Sequence, residues 1–434
     1  MMRSMFSGVS GLRAHQTRMD VIGNNIANVN TVGFKSGRVT FQEIFNQTLR
    51  GAGAPDATSG RGGSNPMQVG LGLGVGSVDT ITTRGSLQRT DNPTDLSIEG
   101  EGYFVVKGGG SSYMFTRAGN FGVDKMGNLV TGSGMNVYGW QQYDTDSTGI
   151  VTFDTEKVIE PINLYSDAYN KNKRMIAAKA TENAVFAGNL DATKDVSAAT
   201  QFTIPVTVYD SLGNGYKVNI DFHKTVASST GSAWEYTIVG ASGSGITPGS
   251  GATGTINFTS EGQIASGGDP TPSVEIVPAS SSGTGGFEVA FDFTKLTTFA
   301  ADSSAKPTNV DGYPTGNLVT FNIGADGILT GIYSNGQQQP LGMVALASFE
   351  NPAGLQKVGD NLYIPTTNSG DFKKGLKAGS EGVGSLNPGT LEMSNVDLSK
   401  EFTEMIVTQR GFQANSRIIT TSDEMLQELV NLKR

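Results

Sequence analysis

The sequence predicts a mainly β, multidomain chain whose two ends are helical. Three features of its 434 residues support this fold class. All fifteen prolines lie between Pro55 and Pro388, both ends carry a seven-residue apolar repeat, and the middle contains short apolar runs separated by glycine, asparagine, aspartate and serine. Because proline costs about 3 kcal/mol in a helix interior, long helices are expected only at the two ends.

The N-terminal stretch predicts an amphipathic helix. Its apolar residues recur at a spacing of seven, at Met5, Leu12, Met19 and Ile26. Such a repeat forms a narrow stripe on one side of a helix, which is typical of a coiled-coil seam. We expect this helix to end near Asn28 and to lead into an extended segment, with residues 1–50 belonging to a terminal helical domain.

An asparagine-rich stretch, "NNIANVNTVGFK" at residues 24–35, predicts the end of this helix. Asparagine side chains bond the backbone at helix ends, and a glycine there readily takes positive φ. An apolar residue after the turn can anchor the chain where it leaves the helix. The residues expected to form this turn are Asn25, Asn28, Asn30, Thr31, Gly33 and Phe34.

Beyond the turn, the sequence predicts a linker and then strands. Residues 51–70 are rich in glycine and serine, so we expect an extended connection there. The run "QVGLGLGVGSVDTITT" alternates glycines with apolar residues, which predicts a strand with one bare face that another backbone can approach. Short strands separated by turns continue through 71–320 and 321–389, so these residues predict β domains.

The C-terminal stretch, residues 390–434, predicts the second helical segment. Leu398, Met405, Phe412, Ile419 and Leu426 again recur at a spacing of seven, with Phe402 beside them. The neighbouring line of the helix is polar, so this stripe is too thin to stabilise an isolated helix pair. We therefore expect self-association through both stripes, in which helices of many copies pack side by side. The alternative is two amphipathic helices lying on one globular core.

Composition excludes several classes of protein. The net charge of −9 argues against nucleic acid as a partner, and no run approaches the 18 apolar residues of a membrane span, so no membrane insertion is expected. Without cysteine, the chain has no disulfides or thiolate ligands. Its N-terminus lacks the apolar core of a signal peptide.

No catalytic, cofactor-binding or metal-binding residues are expected. The two histidines, His15 and His223, are too few for a histidine metal site or most catalytic triads. The run "GSGATG" at 249–254 satisfies G-x-G-x-x-G, but a strand-like segment follows it where a phosphate site needs a helix, so we expect a loop. Trp140 and Trp234 could line a carbohydrate groove, although core packing is the commoner role.

Two terminal segments carry a family resemblance. "SGLRAHQTRMDVIGNNIANVNTVGFK" (10–35) and "LEMSNVDLSKEFTEMIVTQRGFQANSRIITTSDEMLQELVNLKR" (391–434) resemble the bacterial flagellar rod and hook family of axial proteins. The central segments "GEGYFVV" (100–106), "FTRAGNFGVDKMGNLVTGSGMNVYGW" (115–140) and "VYDSLGNGYKVNIDF" (208–222) resemble the hook branch of that family.

The resemblance implies a nested architecture. The N- and C-terminal helices, within 1–50 and 390–434, would pair as a coiled-coil-like inner domain of a tube, joined by the 51–70 linker to discontinuous β-rich domains outside it. Residues 71–180 and 320–389 would form a β-rich middle domain. Residues 181–319 would form an outer β-rich domain inserted within it.

The resemblance also implies a function and partners. The chain would be a self-assembling structural subunit of the flagellar hook, a curved flexible tube that acts as a universal joint between motor and filament. It would leave the cell through the flagellar type III export apparatus, without a cleaved signal peptide, and lie outside the cell. Its partners would be further copies of itself, the rod, the hook cap and the hook–filament junction proteins.

Two alternatives stay open on the sequence. The first is another axial protein of the family such as the distal rod, against which the size of residues 181–319 argues. The second is a secreted β-rich hydrolase or glycan-binding protein, against which the heptads at both ends and the missing catalytic residues argue.

Overall fold

The computed structural model describes residues 2–55, 60, 62–110, 112–146, 150–168, 173–242, 245–279, 283–380 and 382–432. The chain divides into two compact units. The first unit comprises Met1–Tyr165, Asn322–Thr330 and Pro340–Arg434, and the second comprises Ser166–Phe321 and Gly331–Gln339. The mainly β class with a helix at each end, which the sequence predicts, is confirmed.

Helix α1 spans Met2–Ala27 and helix α2 spans Leu398–Asn431. The strands up to residue 161 are β1 Gly37–Glu43, β2 Asn46–Arg50, β3 Met67–Gly70, β4 Leu73–Thr80, β5 Leu87–Arg89, β6 Leu96–Glu99, β7 Tyr103–Lys107, β8 Met114–Thr116, β9 Phe121–Val123, β10 Leu129–Thr131, β11 Asn136–Trp140, β12 Tyr143–Thr145, β13 Val151–Phe153 and β14 Glu160–Pro161. Those up to residue 310 are β15 Met175–Ile176, β16 Asn183–Asp191, β17 Phe202–Tyr209, β18 Gly215–Ser228, β19 Gly231–Gly240, β20 Ile246–Pro248, β21 Thr253–Thr259, β22 Ile264–Gly268, β23 Ser273–Pro278, β24 Phe287–Phe299 and β25 Lys306–Val310. The remaining strands are β26 Gly316–Ile323, β27 Ile328–Tyr333, β28 Gln338–Val344, β29 Leu346–Ala347, β30 Gln356–Gly359, β31 Leu362–Ile364, β32 Ser385–Pro388 and β33 Thr390–Glu392.

The β body of the first unit is built on one main sheet. Its strands follow the order β28-β11-β7-β8-β31-β30, all antiparallel. An aromatic core supports it, in which Phe115, Trp140 and Tyr363 are buried. The first half of the chain contributes β7, β8 and β11, and the second half contributes the other three, so the body cannot form until both halves are present.

The second unit contains two five-stranded sheets around one core. Their orders are β20-β23-β24-β16-β25 and β17-β18-β19-β21-β22. Alternate side chains of both sheets point inward, and Phe186, Phe222, Trp234 and Phe293 are fully buried. The pairing of β16 with β24 is parallel, whereas the other strand pairs of these two sheets that the structure describes are antiparallel.

The helix end predicted near Asn28 and the extended segment predicted after it are present in the structure. The helix ends at Ala27, and β1 and β2 occupy residues 37–50. Phe41 explains why: it lies on β1 and packs its ring edge-on against His15, which gives the strand an apolar contact on α1. At the other end of the chain, β33 precedes α2, whose first turn begins after Asp397.

The expected extended linker at residues 51–70 is different in the structure. Strands β2 and β3 pair antiparallel, and Gly53 and Ser64 exchange two backbone hydrogen bonds of 2.9 Å, so this stretch is a β-hairpin. Residues 56–59 and 61 lie outside the described part of the chain. The glycine alternation that follows is interrupted at Gly72, which has φ +122° and lies against α1, where an added Cβ would be 2.4 Å from Ser10 Oγ.

Two short ladders bring the chain ends together. Strand β32 pairs with β6, and β33 pairs with β5. Asp397 then begins α2, and its side chain accepts hydrogen bonds from the backbone of Ser399 at 2.9 Å and Lys400 at 3.3 Å. This is the usual way in which an aspartate caps a helix N-terminus.

A buried ionic cluster, which we call the ionic node, lies where these segments meet. It consists of Lys35, Arg117 and Glu392, whose side chains are 1%, 6% and 0% exposed. Glu392 pairs with Lys35 through Oε1 and with Arg117 through Oε2, the latter at 3.1 Å. The backbone N–H of Gly85 also donates to Oε1, at 3.0 Å.

Backbone carbonyls complete the ionic node. Lys35 donates to the carbonyl of Thr83 at 2.9 Å, and Arg117 donates to that of Gly100 at 2.7 Å. Burial acts to raise the pKa of Glu392, but the charges of Lys35 and Arg117 outweigh it and hold that pKa below its ordinary value. Removing the carboxylate would therefore leave two buried cations without a counter-charge.

We predict that Glu392→Gln destabilises the first unit strongly. Breaking a buried ion pair by removing one partner costs about 3–5 kcal/mol. The matched control is Asp79→Asn, which removes the partner of Arg38 from an exposed ion pair and should cost under about 1 kcal/mol. Scanning calorimetry should show the melting transition of the first unit shifted down in Glu392→Gln alone. Equal shifts in the two variants would contradict the importance of the ionic node.

Candidate functional site: the terminal helix pair

Helices α1 and α2 pack antiparallel against each other. Ser4 Oγ lies 3.4 Å from Ser422 Oγ towards one end of the pair. Arg18 Nη2 donates a hydrogen bond of 3.1 Å to Glu404 Oε2 towards the other. The helix pairing that the family resemblance implies is therefore present within one chain, whereas the thin apolar stripes predict contacts between copies.

Small and polar residues form most of the contact between the helices, and Ile419 is the member of the predicted apolar lines that packs into it, against Gly8. An added Cβ would lie 2.8 Å from the Asn415 side chain at Gly11, and 2.7 Å from the His15 ring at Gly411. The facing positions alternate in steps of three and four, as in a coiled coil. We call them the seam: Ser4, Gly8, Gly11, His15, Arg18, Ile22 and Asn25 on α1, and Glu401, Glu404, Thr408, Gly411, Asn415, Ile418 and Ser422 on α2.

The apolar residues predicted for self-association lie beside the seam, except that Ile419 also packs on Gly8, where an added Cβ would lie 3.3 Å from its Cγ1. Each follows a position of the seven-residue seam pattern by one residue, which is a rotation of about 100° around the helix. Because the helices are antiparallel, this displacement puts both lines on the same side of the pair. We call this surface the apolar strip: Met5, Leu12, Met19, Ile26, Leu398, Phe402, Met405, Phe412, Ile419 and Leu426.

The apolar strip remains accessible in the single chain. Leu398, Phe402 and Phe412 are 38%, 50% and 41% exposed, and the other members are half-buried. The β1–β4 hairpin covers a different side of α1: Arg18 lies over the Phe41 ring, and Leu73 donates to Ser10 Oγ at 3.3 Å. The helix pair thus has one covered side and one apolar side.

The predicted turn follows α1 directly. Asn28 donates from its side chain to the carbonyl of Asn24 at 3.0 Å, and Thr31 donates to Asn28 Oδ1 at 3.0 Å. Gly33 has φ +69°, and an added Cβ there would lie 2.6 Å from the backbone nitrogen of Ala118, so only glycine fits. Its N–H donates to the carbonyl of Glu392 at 2.7 Å, which ties the turn to the ionic node.

The remaining members of the predicted turn have different roles. Phe34 lies under the Lys357 ammonium, 5.0 Å from it, and Asn30 is exposed. Asn25 is not in the turn: it lies within α1 and is 2% exposed. Its side chain holds Gly37 of β1 with two hydrogen bonds.

Three polar atoms in the seam are buried without a hydrogen-bond partner: His15 Nδ1, Glu401 Oε2 and Thr408 Oγ1. Burial lowers the pKa of His15, and the Arg18 charge lowers it further. Burial raises the pKa of Glu401, against a hydrogen-bonding interaction with Asn25 that lowers it. The seam is therefore less favourable for charged groups than an exposed helix surface.

The structure assembles no catalytic constellation in the part of the chain it describes. No group of three His, Cys, Asp or Glu side chains there is placed to hold a metal ion. The glycine run 249–254 forms the turn after β20 and the first two residues of β21, so a strand follows it and not a helix, as predicted. Trp140 and Trp234 are core residues with 2% and 0% exposure. Among the described helices, none is long and apolar enough to cross a membrane.

A pair of helices from the two chain ends, carrying β-rich units between them, defines an axial structural subunit. Comparisons agree. Four family models match: "Flagella basal body rod protein" at residues 5–35, "Flagellar hook protein FlgE/F/G D1 domain" at 97–170, "Flagellar basal body protein FlaE D2 domain" at 169–313 and "Flagellar basal body rod FlgEFG protein C-terminal" at 387–432.

Full-length relatives specify the family further. The chain is 42% identical to the flagellar hook protein FlgE of Borreliella burgdorferi and 40% identical to that of Treponema pallidum, covering 100% of each chain in both cases. The chain belongs to the flagellar hook protein family, whose members are structural and not enzymes. Its place is therefore the flagellum.

One relative corrects the argument that the size of residues 181–319 excludes a rod protein. The flagellar basal-body rod protein FlgG of Bacillus subtilis is 33% identical over 100% of both chains. A protein with a rod name can thus have this full length, so the size of residues 181–319 does not by itself distinguish hook from rod.

We predict that acid loosens the helix pair through His15. Its pKa in the folded chain lies below the ordinary value of 6.5, so the unfolded chain takes up the proton first and stability falls as the pH drops below that value. Glu401 acts in the opposite direction, because its raised pKa favours proton uptake by the folded chain. Comparison with a His15 variant therefore isolates the histidine.

The measurement is hydrogen exchange of α1 peptides at about pH 7.5 and 5.5, corrected for intrinsic exchange. Protection should fall with pH in the wild type and fall much less in His15→Gln. His223→Gln, which changes the other histidine, in the second unit, should behave like the wild type. The same pH response in His15→Gln would contradict the prediction.

Proposed function

We propose that this chain is the self-assembling subunit of a flagellar hook, a curved flexible tube that transmits motor torque to the filament as a universal joint. The observation that carries the proposal is the apolar strip. Both helices contribute to it, it lies on one side of the pair, and three of its side chains are 38–50% exposed. A second copy of the chain, with a strip of its own, is the partner proposed to cover it.

The exposed strip supplies a driving force for polymerisation. Burying the whole of a large apolar side chain contributes about 1.5–3 kcal/mol. Phe402 and Phe412 retain about half of that contribution for an intermolecular contact, because they are 50% and 41% exposed. Each copy in a tube repeats these contacts, so small contributions per residue add up along the assembly.

The β-rich units suit a different type of contact. The outward strand positions of the second unit carry many threonines and asparagines, such as Thr203, Thr207, Asn219 and Thr255, which are half-buried or exposed. Polar contacts of this kind exchange readily, whereas large apolar contacts do not. Firm contacts between helices and exchangeable contacts between β units would let a tube bend while it stays intact.

The proposed domain scheme keeps the nested order expected from the sequence. Helical termini within 1–50 and 390–434 would form the inner tube, 71–180 with 320–389 the middle domain and 181–319 the outer insertion. The Bacillus subtilis relative supports the distal rod as a second candidate. Electron microscopy of polymerised protein separates the two, because hook subunits should form curved tubes and rod subunits straight ones.

The specific partners belong to this proposal as well. Family membership supports the flagellar type III apparatus as the route of export, without a cleaved signal peptide, and an extracellular location. The rod, the hook cap and the hook–filament junction proteins would be the neighbours of the assembled tube. No nucleic acid partner or membrane insertion is proposed.

We predict that Phe412→Asp raises the critical concentration for tube formation at least tenfold. The aspartate removes the apolar contact and adds the cost of desolvating a charge. The urea stability of the monomer should change by less than about 1 kcal/mol, because the side chain is already 41% exposed. Sedimentation of polymer after salting-out measures the critical concentration.

The matched control for this variant is Gln413→Asp, one residue further along α2, where the wild-type side chain is exposed and outside the apolar strip. It should polymerise at nearly the wild-type concentration. Equal inhibition by both variants would show that a negative charge anywhere on α2 prevents assembly. Strong destabilisation of the Phe412→Asp monomer would show that Phe412 serves the single chain.

We predict that the outer insertion can be removed. Lys179 and Tyr313 exchange two backbone hydrogen bonds of 3.1 Å, so a Gly-Ser-Gly linker in place of 180–312 can join adjacent backbones. The shortened chain should keep the melting transition of the first unit and form thinner tubes under the electron microscope. Loss of that transition would contradict the insertion boundaries.

A further inference from the structure

Asn25 contacts β1 in a way that its position in a helix does not require. Its Nδ2 donates to the carbonyl of Gly37 at 2.8 Å, and its Oδ1 accepts from the N–H of Gly37 at 2.9 Å. The side-chain amide thus satisfies both backbone groups of one strand residue, as a neighbouring strand would. With 2% exposure, these bonds are shielded from water.

The same amide also faces α2. An asparagine amide has two N–H donors, and one is used by Gly37. Glu401, in the first turn of α2, lines the same small cavity as Gly37, and its 8% exposed carboxylate lies close enough to the Asn25 amide for the amide to lower its pKa. Asn25 therefore joins α1, β1 and α2 at one point, which we call the three-way joint.

The three-way joint has little room for other side chains. A Cβ added to Gly37 would lie 3.1 Å from Val21 Cγ1, so β1 lies close to α1 here. Aspartate has the size of asparagine but no N–H donor, and it would place a second carboxylate beside Glu401. At neutral pH an amide of this size can donate and accept at once, whereas the ionised carboxylate of aspartate can only accept.

We propose that Asn25 is a positioning residue for self-assembly: the three-way joint fixes the rotation of α1 and α2 about their axes relative to β1, and so the direction in which the apolar strip faces. This inference rests on the proposed function. Side chains reach about 5–6 Å from a helix axis, so a rotation of about 20° moves the strip by about 2 Å. A displacement of that size exceeds the gap of about 1 Å that already removes a large part of a van der Waals contact.

The charged groups around Glu401 affect how a carboxylate introduced at position 25 would behave. A cavity of about 20 Å³ beside Glu401 is lined by Arg18 of α1, Arg38 of β1, and Lys400 and Glu404 of α2. Three cations and one further carboxylate therefore face it. A second carboxylate introduced at position 25 would repel Glu401 and would also place an oxygen against the Gly37 carbonyl, which accepts from Asn25 Nδ2 at 2.8 Å. Protonation of the introduced carboxylate at low pH would relieve both repulsions, because the neutral group can donate a hydrogen bond.

The test compares Asn25→Asp with Asn24→Asp, which makes the same change at the adjacent exposed position. The critical concentration for tube formation is measured at about pH 7.5 and pH 5 for both variants and the wild type. Asn25→Asp should raise it at least tenfold at the higher pH and return towards the wild type at the lower pH. Asn24→Asp should match the wild type at both.

A double variant tests the geometry directly. In Asn25→Asp with Glu401→Gln, the new glutamine can donate the hydrogen bond that asparagine gave, and one negative charge is gone. At pH 7.5 the critical concentration of the double variant should return most of the way to the wild-type value. The critical concentration of Glu401→Gln alone should stay within about threefold of the wild-type value. Urea unfolding of each monomer separates positioning from folding: a loss of monomer stability in Asn25→Asp large enough to account for the assembly defect would show a purely folding role and overturn the inference.

The outcomes separate the two proposals. If the wild type forms tubes and the critical concentrations of Asn25→Asp and Asn24→Asp are equal, the inference is overturned but the proposed function is not. An Asn25→Asp defect that neither low pH nor Glu401→Gln relieves would have the same consequence. A wild-type chain that forms no tubes would overturn the proposed function, and the inference with it.

Discussion

The carboxylate of Glu392 determines how the two ends of this chain meet. This side chain is fully buried and pairs with Lys35 and Arg117. The backbone carbonyl of Glu392 accepts a hydrogen bond from the N–H of Gly33 and so holds the turn. Lys35 lies after α1, and Glu392 lies six residues before α2. The ionic node thus holds both helix ends at the edge of the β body, and the helix pair, its seam and the apolar strip all depend on this placement. A buried charge without its partner is costly in surroundings of low dielectric constant. Conformations that separate Glu392 from Lys35 and Arg117 are therefore disfavoured.

In this helix pair, most of the apolar residues of the seven-residue repeats lie outside the contact between the helices, which is unusual. A two-helix coiled coil normally buries its apolar line between the helices. Here Gly8, Gly11, Gly411 and Asn415 occupy the seam, whereas the apolar line lies to one side of it. Close approach through small residues compensates for the missing apolar contact within the pair. The apolar surface is consequently available to a further copy, which is the condition that a polymerising subunit needs.

The sequence predicted the class of each large region but not the contacts between regions. The heptads at Met5 and Leu398 identified the helices because periodicity is a local property. The extended segment after the turn is predicted as well, but its pairing with β4 and the contact of Phe41 with His15 of α1 are not, because no local pattern contains them. Lys35, Arg117 and Glu392 each stand alone in the sequence, separated from one another by up to 357 residues, so their pairing could not be inferred from spacing. Asn25 was assigned to the turn because asparagine favours helix ends, and burial in the three-way joint prevailed over that propensity.

The apolar strip has its two halves at opposite ends of the chain, four of its residues within the first 26 and six after residue 397. A chain that ends early, or that has lost its first residues to a protease, presents half a strip and lacks the partner helix that orients it. If assembly proceeds through the apolar strip as proposed, such fragments would bind a growing tube more weakly than the intact chain. The contact between subunits would then select for chains that have both ends.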